Sequence, residues 1–112
     1  MRRGEIWWVD FGQPFGSEPG HRRPAIIVQA DPFNRSRLNT VLLVPLTRTI
    51  AWAQAPGNVL CRPRYTTLKH PSVANVSQLT VADRRRLVER IASLPEPLMR
   101  QLDEGIRLVL GL

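Results

Sequence analysis

The chain has one cysteine, Cys61, and two histidines, His21 and His70, in 112 residues. A lone thiol excludes an internal disulfide and points to a reducing compartment. One cysteine and two histidines so far apart also offer no zinc-ligand spacing. The nine acids are scattered, with only Asp103 and Glu104 adjacent, so a site built from carboxylates alone is hard to assemble. No metal and no other cofactor is expected. No run approaches the roughly 20 apolar residues of a membrane span. The basic start MRRGEIWWVD lacks the apolar stretch and small-residue cleavage site of a secretory signal. The chain is therefore expected to stay in the cytoplasm and off membranes. Lysine is nearly absent: Lys69 stands alone beside 15 arginines.

What remains is 43% apolar, enough for one compact core and too much for a disordered chain. The length suits a single domain over residues 1–112. Sixteen basic against nine acidic residues leave a net charge of +7. A field of that sign attracts a polyanion such as nucleic acid, an acidic protein or an anionic surface. Arginine bias inherited from a high-GC genome is the plainer explanation.

Residues 5–11, EIWWVDF, are short, aromatic and β-branched, which suits a strand. At most one of the adjacent Trp7 and Trp8 can face each side, so at least one is expected in the core. Residues 11–24 carry Gly12, Gly16 and Gly20 with Pro14, Pro19 and Pro24, a composition that makes a long loop, and such loops in small domains usually bind something. The apolar runs 25–29 and 40–46 read as central strands, with Pro45 forcing an irregularity late in the second. Residues 48–57 form another loop, 58–61 a short strand, and 62–71, RPRYTTLKHP, a basic irregular stretch. Residues 72–81 alternate as one strand, 83–86 turn, and 87–92 fit a strand or a helix. Ser93 and Glu96 have the spacing of a capping box, and Leu98, Leu102, Ile106 and Val109 recur at helical spacing, so 96–110 is an amphipathic helix. The sum is a mainly β, strongly curved antiparallel sheet with a C-terminal α-helix, a small β-barrel with long loops at one end.

Glu18 lies five residues before Arg23, in a loop stiffened by Pro19 and ended by Pro24. Arg23 sits where the chain enters a buried strand, and Thr47 closes the next one. If those strands pair antiparallel, the start of one lies beside the end of the other and Arg23 meets Thr47. Guanidinium matches phosphate with a planar fork of donors, and a hydroxyl serves a second phosphate oxygen. Metal-free RNA cleavage asks for little more than a base on the 2′-hydroxyl, stabilisation of the pentacoordinate phosphate and an acid for the 5′-oxygen. The plainer alternatives are a surface ion pair for Glu18 and Arg23, a turn-forming role for Thr47 and a solvated loop position for His21. Trp52, an indole in an unpatterned loop, suits either packing or stacking on a base.

The succession RGEIWWVDF, GSEPGHRRPAIIV, VLLVPLTR, PSVANVSQLTVADRRRL and a terminal helix resembles the MazF/PemK-type toxins of bacterial type II toxin–antitoxin pairs. The resemblance spans residues 3 to about 109, with the motifs in the family's order. It implies an SH3-like barrel of the CcdB/PemK kind, a homodimer, and a sequence-selective endoribonuclease cutting single-stranded RNA without metal. The implied chemistry is attack of the 2′-hydroxyl on the adjacent phosphate, leaving a 2′,3′-cyclic phosphate and a 5′-hydroxyl, with arrest of translation and growth. The family's catalytic arginine, immediately before the proline, falls on Arg23; its threonine falls on Thr47 and its loop acid on Glu18. Guanidinium, with a pKa of roughly 12.5 or above, is a poor base at neutral pH. Arg23 is therefore expected to stabilise charge on phosphorus and is the candidate proton donor, Glu18 to act as base if the loop folds it inward, and Thr47 to bond a non-bridging oxygen.

Base recognition in that family uses the first long loop, the loop after the threonine strand and the strand around a glutamine. Here these supply Ser17, His21 and Arg22, then Arg48 and Trp52, then Ser77 and Gln78. Ser77 stands where some members place an acid. The family's inhibitor is an antitoxin with a disordered, acidic and apolar tail, a sensible partner for a chain of charge +7. Two alternatives share the fold: a non-catalytic RNA-binding SH3-like module, and a CcdB-type gyrase poison. The end LVLGL carries no aromatic residue of the kind a gyrase poison uses.

Overall fold

A computed structural model describes all residues from Met1 to Leu112. Seven strands run as β1 (Glu5–Asp10), β2 (Arg22–Ile27), β3 (Thr40–Thr47), β4 (Val59–Cys61), β5 (Ser72–Ala74), β6 (Thr80–Asp83) and β7 (Leu87–Ser93). Two single helical turns, α1 (Asp31–Asn34) and α2 (Pro63–Thr66), interrupt them, and α3 (Glu96–Leu110) follows. The strands are ordered β4-β5-β3-β2-β1-β7, with β6 also on β3, and every pairing is antiparallel. The expected mainly β fold with a terminal helix is what forms, as a curled half-barrel.

The two apolar runs lie at the centre because the sheet is covered on both faces. Ile6, Ile26, Val44 and Leu46 point into the larger core, which α3 closes with Met99 and Leu102. Val9, Ala25, Ile27, Val41 and Leu43 point the other way, into a smaller core sheltered by Met1, Trp7, Phe11 and Leu87. Strand side chains alternate between faces, so a strand apolar at successive positions serves both. Each Val, Leu or Ile fully buried this way contributes about 1.5–3 kcal/mol. Trp7 and Trp8 also take opposite faces, but both stay half-buried. The expectation of a core tryptophan fails because the smaller core ends at Trp7 and the face of Trp8 opens onto a cavity.

Strand β2 begins at Arg22, three residues earlier than the apolar pattern implied, because β1 continues to pair with it through Val9↔Arg23 and Asp10↔Arg22. Residues 72–81 are not one strand. They divide into β5, a 3-10 turn at Val76–Gln78 and β6. Both pieces lie along one edge of β3: Thr40 to Leu43 pair with β6, and Leu46 and Thr47 pair with β5. Pro45, which has no N–H to give, falls in the gap between them, where its carbonyl accepts from Asn75. Residues 87–92 resolve as strand, since β1 holds them on its free edge.

Helix α3 has the expected bounds but not the expected cap. Pro95 is the N-cap and makes no side-chain cap, while the Ser93 hydroxyl belongs to β7 and accepts from Arg90. Its C-terminus closes with Gly111 left-handed at φ 73° and Leu112 N–H donating to the Arg107 carbonyl, a Schellman turn. Val109 is half out in solvent and Met99 takes the buried place instead. Gly105 is buried because the loop before β4 crosses the helix there. A methyl group on Gly105 would run into the Gly57 carbonyl, and Gly57 itself has φ 89°. Cys61 is buried in β4, and burial pushes its thiol up to about 11, so it is unreactive near neutral pH. No helix is long and apolar enough to cross a membrane.

Candidate functional site

The β2–β3 ladder pairs Ala25 with Pro45, Ile26 with Val44 and Ile27 with Leu43. Carried two places further, that register sets Arg23 opposite Thr47. The two side chains line one open cavity of about 730 Å³. Its walls also carry Trp8 and Ile91 from β1 and β7, Arg22 and Arg48 beside the central pair, and Thr67, Lys69, His70 and Ser72 from the approach to β5.

Each cationic group on the β2 side is differently committed. Arg22 lies over the Trp8 ring, 5.4 Å from its centroid, and 4.0 Å from the Glu89 carboxylate. Arg23 donates only its Nε, to the Gly20 carbonyl at 3.2 Å, so its terminal fork has no partner within the chain. That fork is the part of a guanidinium that grips an oxyanion. Thr47 Oγ1 accepts from the Thr49 amide at 3.2 Å. With one lone pair taken by a backbone donor, the hydroxyl proton is left to donate outward.

The remaining residues expected at the site lie outside this cavity. The first loop is folded on itself: Phe11 and His21 exchange backbone bonds with His21 and Gly12 carbonyls, and Gly20 packs so tightly on the Pro14 ring that no side chain would fit. Glu18 is exposed and accepts from the Phe15 amide at 3.1 Å. His21 is exposed with φ 59°, Ser17 is exposed, and Trp52 is 52% exposed on a 3-10 turn.

These outer segments are nevertheless tied together. Gln78 donates from its amide to the Ser17 carbonyl at 3.0 Å. Ser77 donates to Asn75, and Asn58 joins the Asn75 side chain, the Trp52 carbonyl and the Val76 amide. The first loop, the Trp52 loop and the turn around Gln78 therefore form one hydrogen-bonded rim. Asn58 and Asn75, absent from the sequence expectations, are its joints.

Lys69 and His70 were also missed, although the sequence held a signal. Residues 22–24 read Arg-Arg-Pro at the start of β2, and residues 69–71 read Lys-His-Pro just before β5. Both are a basic pair and a proline entering a strand that pairs antiparallel with the end of β3, so both arrive beside Thr47. No group of three or more His, Cys, Asp and Glu side chains comes together in the chain.

A half-barrel closed by a terminal helix is the fold of a known class. Across residues 2–110 the chain matches the family of PemK-like, MazF-like toxins of type II toxin–antitoxin systems, and it belongs to that family. It is 42% identical over 112 residues to Endoribonuclease MazF6 of Mycobacterium tuberculosis, covering 100% of this chain and 98% of that protein. Among solved structures, MazF from Deinococcus radiodurans superposes with a TM-score of 0.81 at 23% identity, covering 100% of this chain and 97% of that one. A mycobacterial endoribonuclease solved with its cognate antitoxin superposes with a TM-score of 0.80 at 21% identity, covering 100% and 96%. At those identities the two structures speak to the shared fold.

Proposed function

We propose that the chain is a toxin endoribonuclease that cuts single-stranded RNA at selected sequences without a metal ion. One observation carries the reading: Arg23 and Thr47 reach the same cavity from paired strands, one with its guanidinium fork unengaged and the other with its hydroxyl proton free. Arg23 holds the scissile phosphate and stabilises the charge that grows on its oxygens. Thr47 donates to a non-bridging oxygen. The 2′-hydroxyl attacks, the bond to the 5′-oxygen breaks, and a 2′,3′-cyclic phosphate and a 5′-hydroxyl are left.

Glu18 takes the 2′-proton. In the free protein its carboxylate is occupied by Phe15, so RNA binding must draw that stretch of loop toward Arg23, as apo sites often tighten only on substrate. The rim that joins Ser17, Trp52, Ser77 and Gln78 contacts bases beyond the cut, while Arg22 and Arg48 hold flanking phosphates. His21, at the junction of the first loop and β2, contacts the RNA strand. Only unpaired RNA presents splayed bases to such a rim. A homodimer and a cytoplasmic setting complete the reading, with silencing by an antitoxin whose disordered acidic and apolar tail answers the +7 charge.

The test is cleavage of a mixed single-stranded RNA pool in excess EDTA, with both new ends mapped. Cyclic phosphate and 5′-hydroxyl ends at a recurring sequence are expected. Cleavage that stops with chelator overturns the metal-free mechanism, and a protein that binds RNA without cutting is the non-catalytic module instead.

A further inference from the structure

The strands β2 and β5 pair with opposite edges of β3, both antiparallel, and so both begin beside Thr47. Arg23 comes from the β2 side. His70 comes from the β5 side, two residues before Ser72, and both line the cavity. Its segment is anchored at Thr66, which is buried and whose hydroxyl accepts from the Leu68 amide at 3.1 Å. Leu68 packs on the larger core. The His70 ring makes no hydrogen bond within the chain, so both nitrogens are available to a ligand.

The charged groups around that space are the guanidinium groups of Arg22, Arg23 and Arg48 and the ammonium of Lys69. No carboxylate lines the cavity, and Glu89 approaches only as the partner of Arg22. Guanidinium and ammonium groups keep their protons through neutral pH. Among the lining side chains, only an imidazole exchanges a proton there.

Displacement at phosphorus runs in line, with attacking and leaving oxygens on opposite sides. For an RNA strand that crosses β3 with its 2′-oxygen toward Arg23 and the first loop, in-line geometry sets the 5′-oxygen toward β5. We propose that His70 is a second catalytic residue of this cavity, the general acid that protonates the departing 5′-oxygen. The inference rests on the nuclease reading above. As the bond from the 2′-oxygen to phosphorus forms, the 2′-proton passes to Glu18. The bond from phosphorus to the 5′-oxygen breaks with its electron pair on that oxygen, which takes the proton of the His70 imidazolium. Exchange with water then returns a proton to His70 and removes one from Glu18.

The experiment compares wild type, His70→Ala and His70→Gln in single turnover on two RNA strands containing the mapped cleavage site. One is ordinary RNA; the other carries sulfur in place of the bridging 5′-oxygen, a leaving group that needs no proton. On ordinary RNA both variants should be slower by about 10²–10⁴-fold, and the alkaline fall of the wild-type pH profile should vanish. On the sulfur-bridged strand the variants should come within about tenfold of wild type, the missing acid costing nothing there. Variants that cut ordinary RNA at the wild-type rate overturn the proposal. So does an equal loss on both strands in a variant that still binds a strand with a 2′-deoxy sugar at the cut. A wild-type protein that cuts neither strand removes the nuclease reading itself.

Discussion

Two walls of the same cavity are built alike and differ in what they bring. The β2 wall enters through Arg22, Arg23 and Pro24 and delivers permanent positive charge. The β5 wall enters through Lys69, His70 and Pro71 and delivers one group that can move a proton. Each follows a non-glycine residue held in left-handed backbone, His21 at φ 59° and Thr67 at φ 63°. Both depend on β3, whose two edges accept the two strands and whose last residue, Thr47, lies between them. The proposed phosphate site needs fixed donors and, facing them, a proton source for the leaving oxygen, and a central strand flanked by two antiparallel entries supplies both.

The comparison breaks most readily within the β2 wall. Arg23→Ala should slow cleavage by about 10²–10³-fold, the usual cost of removing one preorganised donor from a transition state. Arg22→Ala, whose guanidinium is already engaged with Trp8 and Glu89, should cost less than about tenfold, mostly in KM. Rates under single and multiple turnover separate the two. Next in size is Gly105→Ala, which forces α3 away from the Gly57 loop. Overpacking of this kind should lower stability by about 1–3 kcal/mol in urea unfolding.

Smaller still is Thr67→Gly on the β5 wall. It relieves a β-branched residue from left-handed backbone and should raise stability in urea unfolding, by less than about 1 kcal/mol once the flexibility of the unfolded glycine is counted. The least effect is expected from acid. Glu5 is raised by burial, but hydrogen bonds from the Arg2 amide, the Trp7 indole and Arg90 outweigh this and leave it below the usual range. Asp83 is lowered to about 2 by the side-chain and backbone bonds of Arg85. Both folded values lie below the unfolded ones. Their stabilisation is therefore present above the ordinary carboxylate range and is lost as pH falls through the folded values. Unfolding at pH 6 and pH 3 should show this decline, and Glu5→Gln with Asp83→Asn should flatten it.

The central sheet and α3 were legible because burial on two faces writes itself as apolar runs, and burial on one helix face as a repeat near every fourth residue. Arg23 and Thr47 were legible for a related reason: they end such runs, and antiparallel pairing brings run ends together. What failed depended on contacts with no local sign. Ser72 to Val81 alternates well enough for one strand, yet Pro45 on the neighbouring strand divides it. Ser93 has the spacing of a helix cap but is claimed by Arg90 within β7. Glu18 lies near Arg23 in sequence, while the fold of its loop turns the carboxylate onto Phe15. Lys69 and His70 sit in a stretch with no periodicity, and only their echo of the Arg-Arg-Pro entry marks them. Asn58 and Asn75 resemble any turn residues until the rim they join is seen.

The most direct test of the account is a double-mutant cycle on Arg23 and Thr47, measured as single-turnover cleavage in excess EDTA. If both groups hold the same phosphate, Arg23→Ala combined with Thr47→Val should be little slower than Arg23→Ala alone, since the second loss acts on a contact the first has already released. Losses that multiply in full would contradict it, because they would place the guanidinium and the hydroxyl on separate tasks.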